Sequence, residues 1–133
     1  MKAYIVAYIA AGLSFVAVDA VWLSLMSPRL YRPALQSILA EHVQITPAIA
    51  FYALYILGLV IFAVAPGLAV GRWSAALWRG ALFGLFTYMT YDLTNQATLR
   101  VWSSSVTAAD LSWGMVVSAW AAAVGCAVAL ALR

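Results

Sequence analysis

Two aspartates inside long apolar stretches are the residues of this sequence whose type and position could do chemistry. Asp19 lies seven residues before Met26, and Asp92 lies seven residues before Leu99. If both stretches are membrane-crossing helices, a rise of about 1.5 Å per residue places the two carboxyls roughly 10 Å below the same membrane face. A carboxyl group removed from water can act as a general acid or base.

Polar and aromatic side chains share the helix faces of these aspartates. At about 100° per residue, Tyr88 and Asn95 fall on the face of Asp92, and Trp22 falls on the face of Asp19. A charge inside a membrane helix costs about 2.5–3.5 kcal/mol on insertion scales, so such residues are functional candidates by default. We therefore predict a ligand cavity that opens toward the loop at 27–45. Its candidate residues are Asp19, Trp22, Tyr88, Tyr91, Asp92, Asn95, Arg100, Asp110 and Trp113.

A structural role for the aspartates is the alternative. Each could accept hydrogen bonds from Trp or Tyr donors on neighbouring helices and so fix the bundle. Such bonds average only about 0.6 kcal/mol between membrane helices, which favours a site over a purely structural role without excluding either. Asp110 has a stronger structural explanation, because Thr107–Asp110 has the spacing of a capping box and predicts a helix start.

Apolar helices must position these residues. Of 133 residues, 67% are hydrophobic and 8% are charged, which excludes an ordinary soluble fold and intrinsic disorder. The net charge of +3 is too small for a nucleic-acid-binding surface. Cys126 is the only cysteine and His42 the only histidine, so the sequence predicts no disulfide and no metal site. It identifies no cofactor.

Four stretches have the roughly 20 apolar residues that a membrane-crossing helix needs. They cover about 3–26, 47–66, 76–99 and 108–132, and we predict one all-α domain over 1–133, an integral membrane four-transmembrane-helix bundle. Ser27-Pro28 is expected to end the first span, since a residue before proline disfavours the helical conformation. Pro33 could then start a short interfacial helix, with an irregular loop as the alternative.

Small residues predict how the helices pack. Gly80-x-x-x-Gly84 and Gly114-x-x-x-Ser118 allow helix backbones to approach closely. We interpret these positions, and the tyrosines of the second span, Tyr52 and Tyr55, as packing residues.

The charges give a weak orientation signal. With four spans, Lys2, Arg72, Arg79 and Arg133 share one side, and Arg29, Arg32 and Arg100 share the other. Four cations against three favour cytoplasmic termini, with the reverse orientation open.

The segments that carry the candidates resemble a known family. They are Asp19-Ala-Val-Trp22-Leu23, the run Tyr91-Asp92-Leu93-Thr94-Asn95-Gln96-Ala97-Thr98-Leu99 with Trp102 after it, and Asp110-Leu111-Ser112-Trp113-Gly114. In order and spacing these resemble a bacterial membrane-protein family, domain of unknown function 2177. The resemblance implies a small multi-pass protein of the bacterial inner membrane and marks signature positions that coincide with the predicted cavity. It implies no reaction.

Three functions compete at this point. The first is a protein that binds or processes a lipophilic or amphipathic small molecule, either as an enzyme or as a binding protein. The second is a small proton-coupled exporter that works as a homodimer, by analogy of architecture with small multidrug transporters. The third is an accessory subunit of a membrane complex. In each case the lipid bilayer is a partner and nucleic acid is not.

Overall fold

Four long helices account for nearly the whole chain, and there are no strands. The computed structural model describes residues Met1–Arg133. We label the helices α1 (Lys2–Leu35), α2 (45–70), α3 (Trp73–Thr98) and α4 (Ser104–Ala131). By length and composition α1, α4 and the segment Ile45–Ala69 of α2 could cross a membrane, whereas the more polar α3 does not meet that criterion. The all-helical prediction is confirmed.

The four helices pack around a common core. α4 lies between α1 and α3, and α2 closes the arrangement by contacting both α1 and α3. α1 and α3 therefore occupy opposite corners. A two-residue connection joins α2 to α3 at the end that holds both termini, while the connections 36–44 and 99–103 lie at the other end. We call the latter the loop end.

Backbone contact between glycine faces holds α3 against α4. A methyl group added to Gly80 would come within 2.6 Å of the carbonyl oxygen of Ser118, and one added to Gly84 would overlap the carbonyl oxygen of Gly114. No larger side chain fits between the helices at these positions. The packing predicted from the glycine spacing is therefore what the structure shows.

Apolar side chains cover the outside of the bundle. Leu13, Leu54 and Phe62 are examples, with 63–70% of each side chain exposed. α3 has such a surface as well, because Leu82, Phe86 and Leu93 point away from its neighbours. Surfaces of this kind are stable against lipid rather than water.

The first helix does not end at Ser27-Pro28, as the sequence predicts. It continues to Leu35 through a π-helical segment, Ser27–Tyr31. A proline inside a regular helix lacks a hydrogen-bond donor and clashes with the carbonyl four residues earlier. A π-helical turn shifts the bonding to the fifth residue, as in the bond from the Arg32 N–H to the Ser27 carbonyl, and so accommodates Pro28 without ending the helix.

Two further helix boundaries differ from the prediction. Pro33 starts no interfacial helix, because Arg32–Leu35 is the last turn of α1 and residues 36–44 form turns and irregular chain. α4 begins at Ser104, where the hydroxyl of Ser103 accepts a bond from the Ser105 N–H. The capping-box prediction for Thr107–Asp110 is therefore wrong, because a serine cap has already started the helix.

Candidate functional site

Asp19 is fully hydrogen-bonded. Its carboxyl accepts from the Tyr52 hydroxyl at 2.6 Å and from the Trp113 indole N–H at 2.9 Å. The side chain is 6% exposed. Since Tyr52 belongs to α2 and Trp113 to α4, this carboxyl ties three helices together near the loop end.

Asp110 accepts a hydrogen bond from the end of α1. The Tyr31 hydroxyl donates to Asp110 Oδ1, and the Trp22 indole N–H donates to the same hydroxyl at 3.0 Å. Trp22 also stacks on Trp113, with ring centroids 4.5 Å apart and planes 4° from parallel. Asp110 is thus positioned by α1 and does not cap α4.

The π-helical segment explains how Tyr31 reaches this position. Trp22 and Tyr31 are nine residues apart, which is about two and a half turns of a regular helix and would put them on opposite faces. A π-helical turn contains more residues, so it rotates Tyr31 back toward the face of Trp22. The same turn that accommodates Pro28 therefore supplies the donor to Asp110.

Asp92 is buried without a donor. It is 0% exposed, and neither carboxyl oxygen has a hydrogen-bond partner. The carboxyl of Asp110 adjoins it, close enough for a hydrogen bond if one of the two carries a proton. Two ionised carboxylates would both be acceptors, so this contact holds only when a proton is shared. We call these two residues the carboxyl pair.

The prediction paired Asp92 with Asp19, and the structure pairs it with Asp110. α1 and α3 stand at opposite corners of the bundle, so equal depth in the membrane does not bring their side chains together. α4 passes between them and contacts both. Trp113 of α4 donates a hydrogen bond to Asp19, and Asp110, also of α4, adjoins Asp92.

An aromatic cavity lies beside the carboxyl pair. It has a volume of about 410 Å³, and its walls are Phe51, Tyr55, Thr87, Tyr88, Tyr91 and Asp110. Phe51 is 43% and Tyr91 is 60% exposed, so the cavity opens between α2 and α3 at the surface that the apolar side chains cover. Its base is fixed by the Tyr55 hydroxyl, which bonds Ser118 at 2.7 Å and Thr87 at 3.1 Å.

A second cavity adjoins the first at the loop end. It has a volume of about 520 Å³ and is lined by mostly apolar residues of all the helices except α2 and of both loop-end connections, with Ser24, Ser27 and Tyr31 of α1 among them. Tyr91 and Asp110 line both cavities. The carboxyl of Asp110 is therefore part of the wall between a space that opens toward lipid and a space at the loop end.

Six of the nine predicted residues line neither cavity: Asp19, Trp22, Asp92, Asn95, Arg100 and Trp113. Asn95 is partly buried one turn beyond Asp92, and Arg100 is exposed in the α3–α4 connection. This connection is held instead by Gln96, whose side-chain oxygen accepts from Thr107 at 2.7 Å, while the Thr107 hydroxyl accepts from Trp102 at 2.9 Å. Tyr88 and Tyr91 do line the aromatic cavity, and Trp22 and Trp113 flank the site.

Three tyrosines of the site are not among the predicted residues. The sequence predicts a loop at Tyr31 and packing roles for Tyr52 and Tyr55, whereas all three hydroxyls form hydrogen bonds at the site. For the second pair a signal was present: both hydroxyls lie in the half of α2 near the loop end, at the depth of the aspartates. For Tyr31 no periodicity shows that the helix continues through Pro28.

Comparisons with known proteins identify one family. The family model described as a predicted membrane protein, DUF2177, matches residues 4–127. No curated protein matches the chain. No solved structure matches it either.

The two buried aspartates give a matched pair of substitutions. Asp19→Asn turns an acceptor oxygen into an NH₂ group that faces the Tyr52 or Trp113 donor, so we expect the free energy of unfolding to fall by about 1–3 kcal/mol. Asp92→Asn removes a carboxyl that accepts no bond, and its NH₂ group can donate to Asp110, so we expect no loss. Thermal unfolding in one detergent, followed by circular dichroism, measures both. Equal losses would contradict the assignment of donors.

Proposed function

The chain belongs to the DUF2177 family of predicted membrane proteins, and we propose that it binds a lipophilic or amphipathic small molecule in the aromatic cavity. The observation that carries this proposal is the cavity itself: about 410 Å³ with four aromatic walls and one carboxyl. Ligand pockets are mostly apolar and contain a few polar groups that fix orientation. Asp110, Thr87 and the wall tyrosines carry such groups.

The opening of the cavity supports entry of the ligand from the bilayer. Phe51 and Tyr91, the exposed walls, lie on α2 and α3, whose outer surfaces are apolar. A molecule dissolved in the acyl chains would reach the cavity by passing between these helices. Its polar end would then meet Asp110, the one carboxyl on the wall.

We further propose that all four helices cross the membrane. α3 is 26 residues long, which is enough to cross a membrane; its one aspartate, Asp92, is buried inside the bundle, and Leu82, Phe86 and Leu93 face outward. Its glycines adjoin the backbone of α4, a helix that is itself apolar enough to cross. A helix with a carboxyl group can cross a bilayer when that group faces the interior of the bundle.

As part of this proposal, the protein resides in the bacterial inner membrane with cytoplasmic termini. The bias of four cations at the end with the termini against three at the loop end supports this orientation. It would put both cavities near the non-cytoplasmic face.

Proton-coupled export is a second candidate function, because Asp110 lines both cavities. A ligand that binds at this carboxyl from the lipid side would lie next to the cavity at the loop end, because Tyr91 also lines both spaces. A proton taken up by the carboxyl pair would release it. Export would require the two cavities to open alternately, whereas binding alone would not.

Single cysteines test the number of crossings. In a Cys126→Ala background, we expect Ala40→Cys and Val101→Cys to react with a membrane-impermeant maleimide from the outside of intact cells. Arg72→Cys should react only in inverted vesicles, because α3 would carry the chain across. If the cysteines at 72 and 101 react from the same side, α3 does not cross.

A bulky residue on the cavity wall tests binding. Thr87→Phe fills the cavity, so we expect the amount of lipophilic molecule that co-purifies to fall about tenfold or more. A tenfold fall corresponds to a loss of about 1.4 kcal/mol of binding free energy. Solvent extraction of purified protein and mass spectrometry measure it.

The control is Thr90→Phe on the same helix. Thr90 is exposed, and its hydroxyl bonds a carbonyl of its own helix as that of Thr87 does. The control should keep the molecule that the wild type carries. Identical extracts from wild type and Thr87→Phe would overturn the proposal.

A further inference from the structure

We infer that the ligand is an organic cation, an amphiphile with an alkylammonium head, and that the carboxyl pair is its counter-ion. This inference rests on the proposed function and names the class of ligand for the same cavity. It is carried by the contact of Asp92 with Asp110 at the wall of an aromatic space.

The interior of the bundle holds carboxyl groups and no cationic group. Asp19 and Asp92 are buried, and Asp110 is partly buried, whereas all seven Lys and Arg side chains and His42 are exposed. Asp19 is satisfied by two donors. The carboxyl pair has a single donor, the Tyr31 hydroxyl, for four oxygens.

One shared proton leaves this pair with one negative charge. That proton would join Asp92 to Asp110, and the remaining charge would have no cation from the chain to neutralise it. Unpaired charge in an apolar interior is unfavourable unless a partner is present. A monovalent cation in the aromatic cavity, in contact with Asp110, is a partner of the right charge.

The walls favour an organic cation over a metal ion. A hard metal ion takes six or more oxygen ligands, and the cavity offers one carboxyl beside four aromatic rings and one threonine. Alkylammonium heads are bound by aromatic side chains whose ring faces attract positive charge. Tyr88 is held with its ring against Gly114, where a methyl group would overlap the ring, so this wall is rigid.

The test uses two probes that differ in charge. Decyltrimethylammonium is cationic, and decyldimethylamine N-oxide has nearly the same shape but no net charge at neutral pH. Each is titrated into the protein in phosphatidylcholine nanodiscs, with empty nanodiscs as the reference, and binding is followed by tryptophan fluorescence and calorimetry. We expect the cation to bind about tenfold or more tightly than the N-oxide.

Substitutions locate the charge. Asp110→Asn should weaken binding of the cation by about tenfold or more and leave the N-oxide unchanged, because the amide keeps the shape and the bond from Tyr31. Asp92→Asn, which should fold at least as stably as the wild type, should bind the cation at least as tightly, because its amide donates to Asp110 and Asp110 keeps the single negative charge at the cavity wall. Glu41→Gln, at an exposed carboxyl of the 36–44 connection, is the control and should change neither probe.

The outcomes separate this inference from the proposed function. If both probes bind equally well and Thr87→Phe abolishes both, the cavity binds amphiphiles but the charge assignment is overturned. Strong competition by sodium or potassium chloride at constant ionic strength would also overturn it in favour of an inorganic ion. If neither probe binds the wild type and no molecule co-purifies with it, both proposals fail.

Discussion

The close approach of α3 and α4 is the constraint on which the site depends. Glycines at Gly80, Gly84 and Gly114 bring the two backbones into contact. The carboxyl of Asp92 is completely buried beside Asp110 and has no hydrogen-bond donor. The same glycine face seats the ring of Tyr88, which forms a wall of the cavity. The packing of small residues between α3 and α4 therefore also determines where the carboxyl pair lies.

A π-helical segment of α1 supplies the remaining contact of the site, the hydrogen bond from Tyr31 to Asp110. This segment keeps the helix intact through Pro28 and turns Tyr31 toward Asp110. π-Helical turns inside longer helices are frequent at functional sites. The carboxyls therefore differ in role. Asp19 accepts hydrogen bonds from α2 and α4 and so links three helices, whereas the carboxyl pair has one donor and adjoins a cavity. Of the two explanations weighed for the aspartates, the structural one fits Asp19, and the proposed site fits Asp92 and Asp110.

Much of this could be predicted from the sequence, and the exceptions have physical causes. Hydrophobic run length predicts the helices, and helical periodicity groups Tyr88, Tyr91 and Asp92 near one face. Periodicity describes single helices, however, and does not show which helices are neighbours. Equal depth therefore suggests a pair of Asp92 with Asp19, although α1 and α3 stand at opposite corners of the bundle. The boundary at Pro28 was missed because a proline normally ends a helix, and the cap at Asp110 was wrong because Ser103 caps α4 earlier.

The most direct test of the account is the protonation state of the carboxyl pair, measured by infrared spectroscopy of the protein in nanodiscs without added ligand. A carboxylic acid and a carboxylate have separate stretching bands. We predict a carboxylic acid band in the wild type that is absent from Asp92→Asn, whose amide donates to Asp110 without a proton. A wild-type spectrum with no such band would mean two ionised carboxylates side by side in an apolar interior, which would contradict the account.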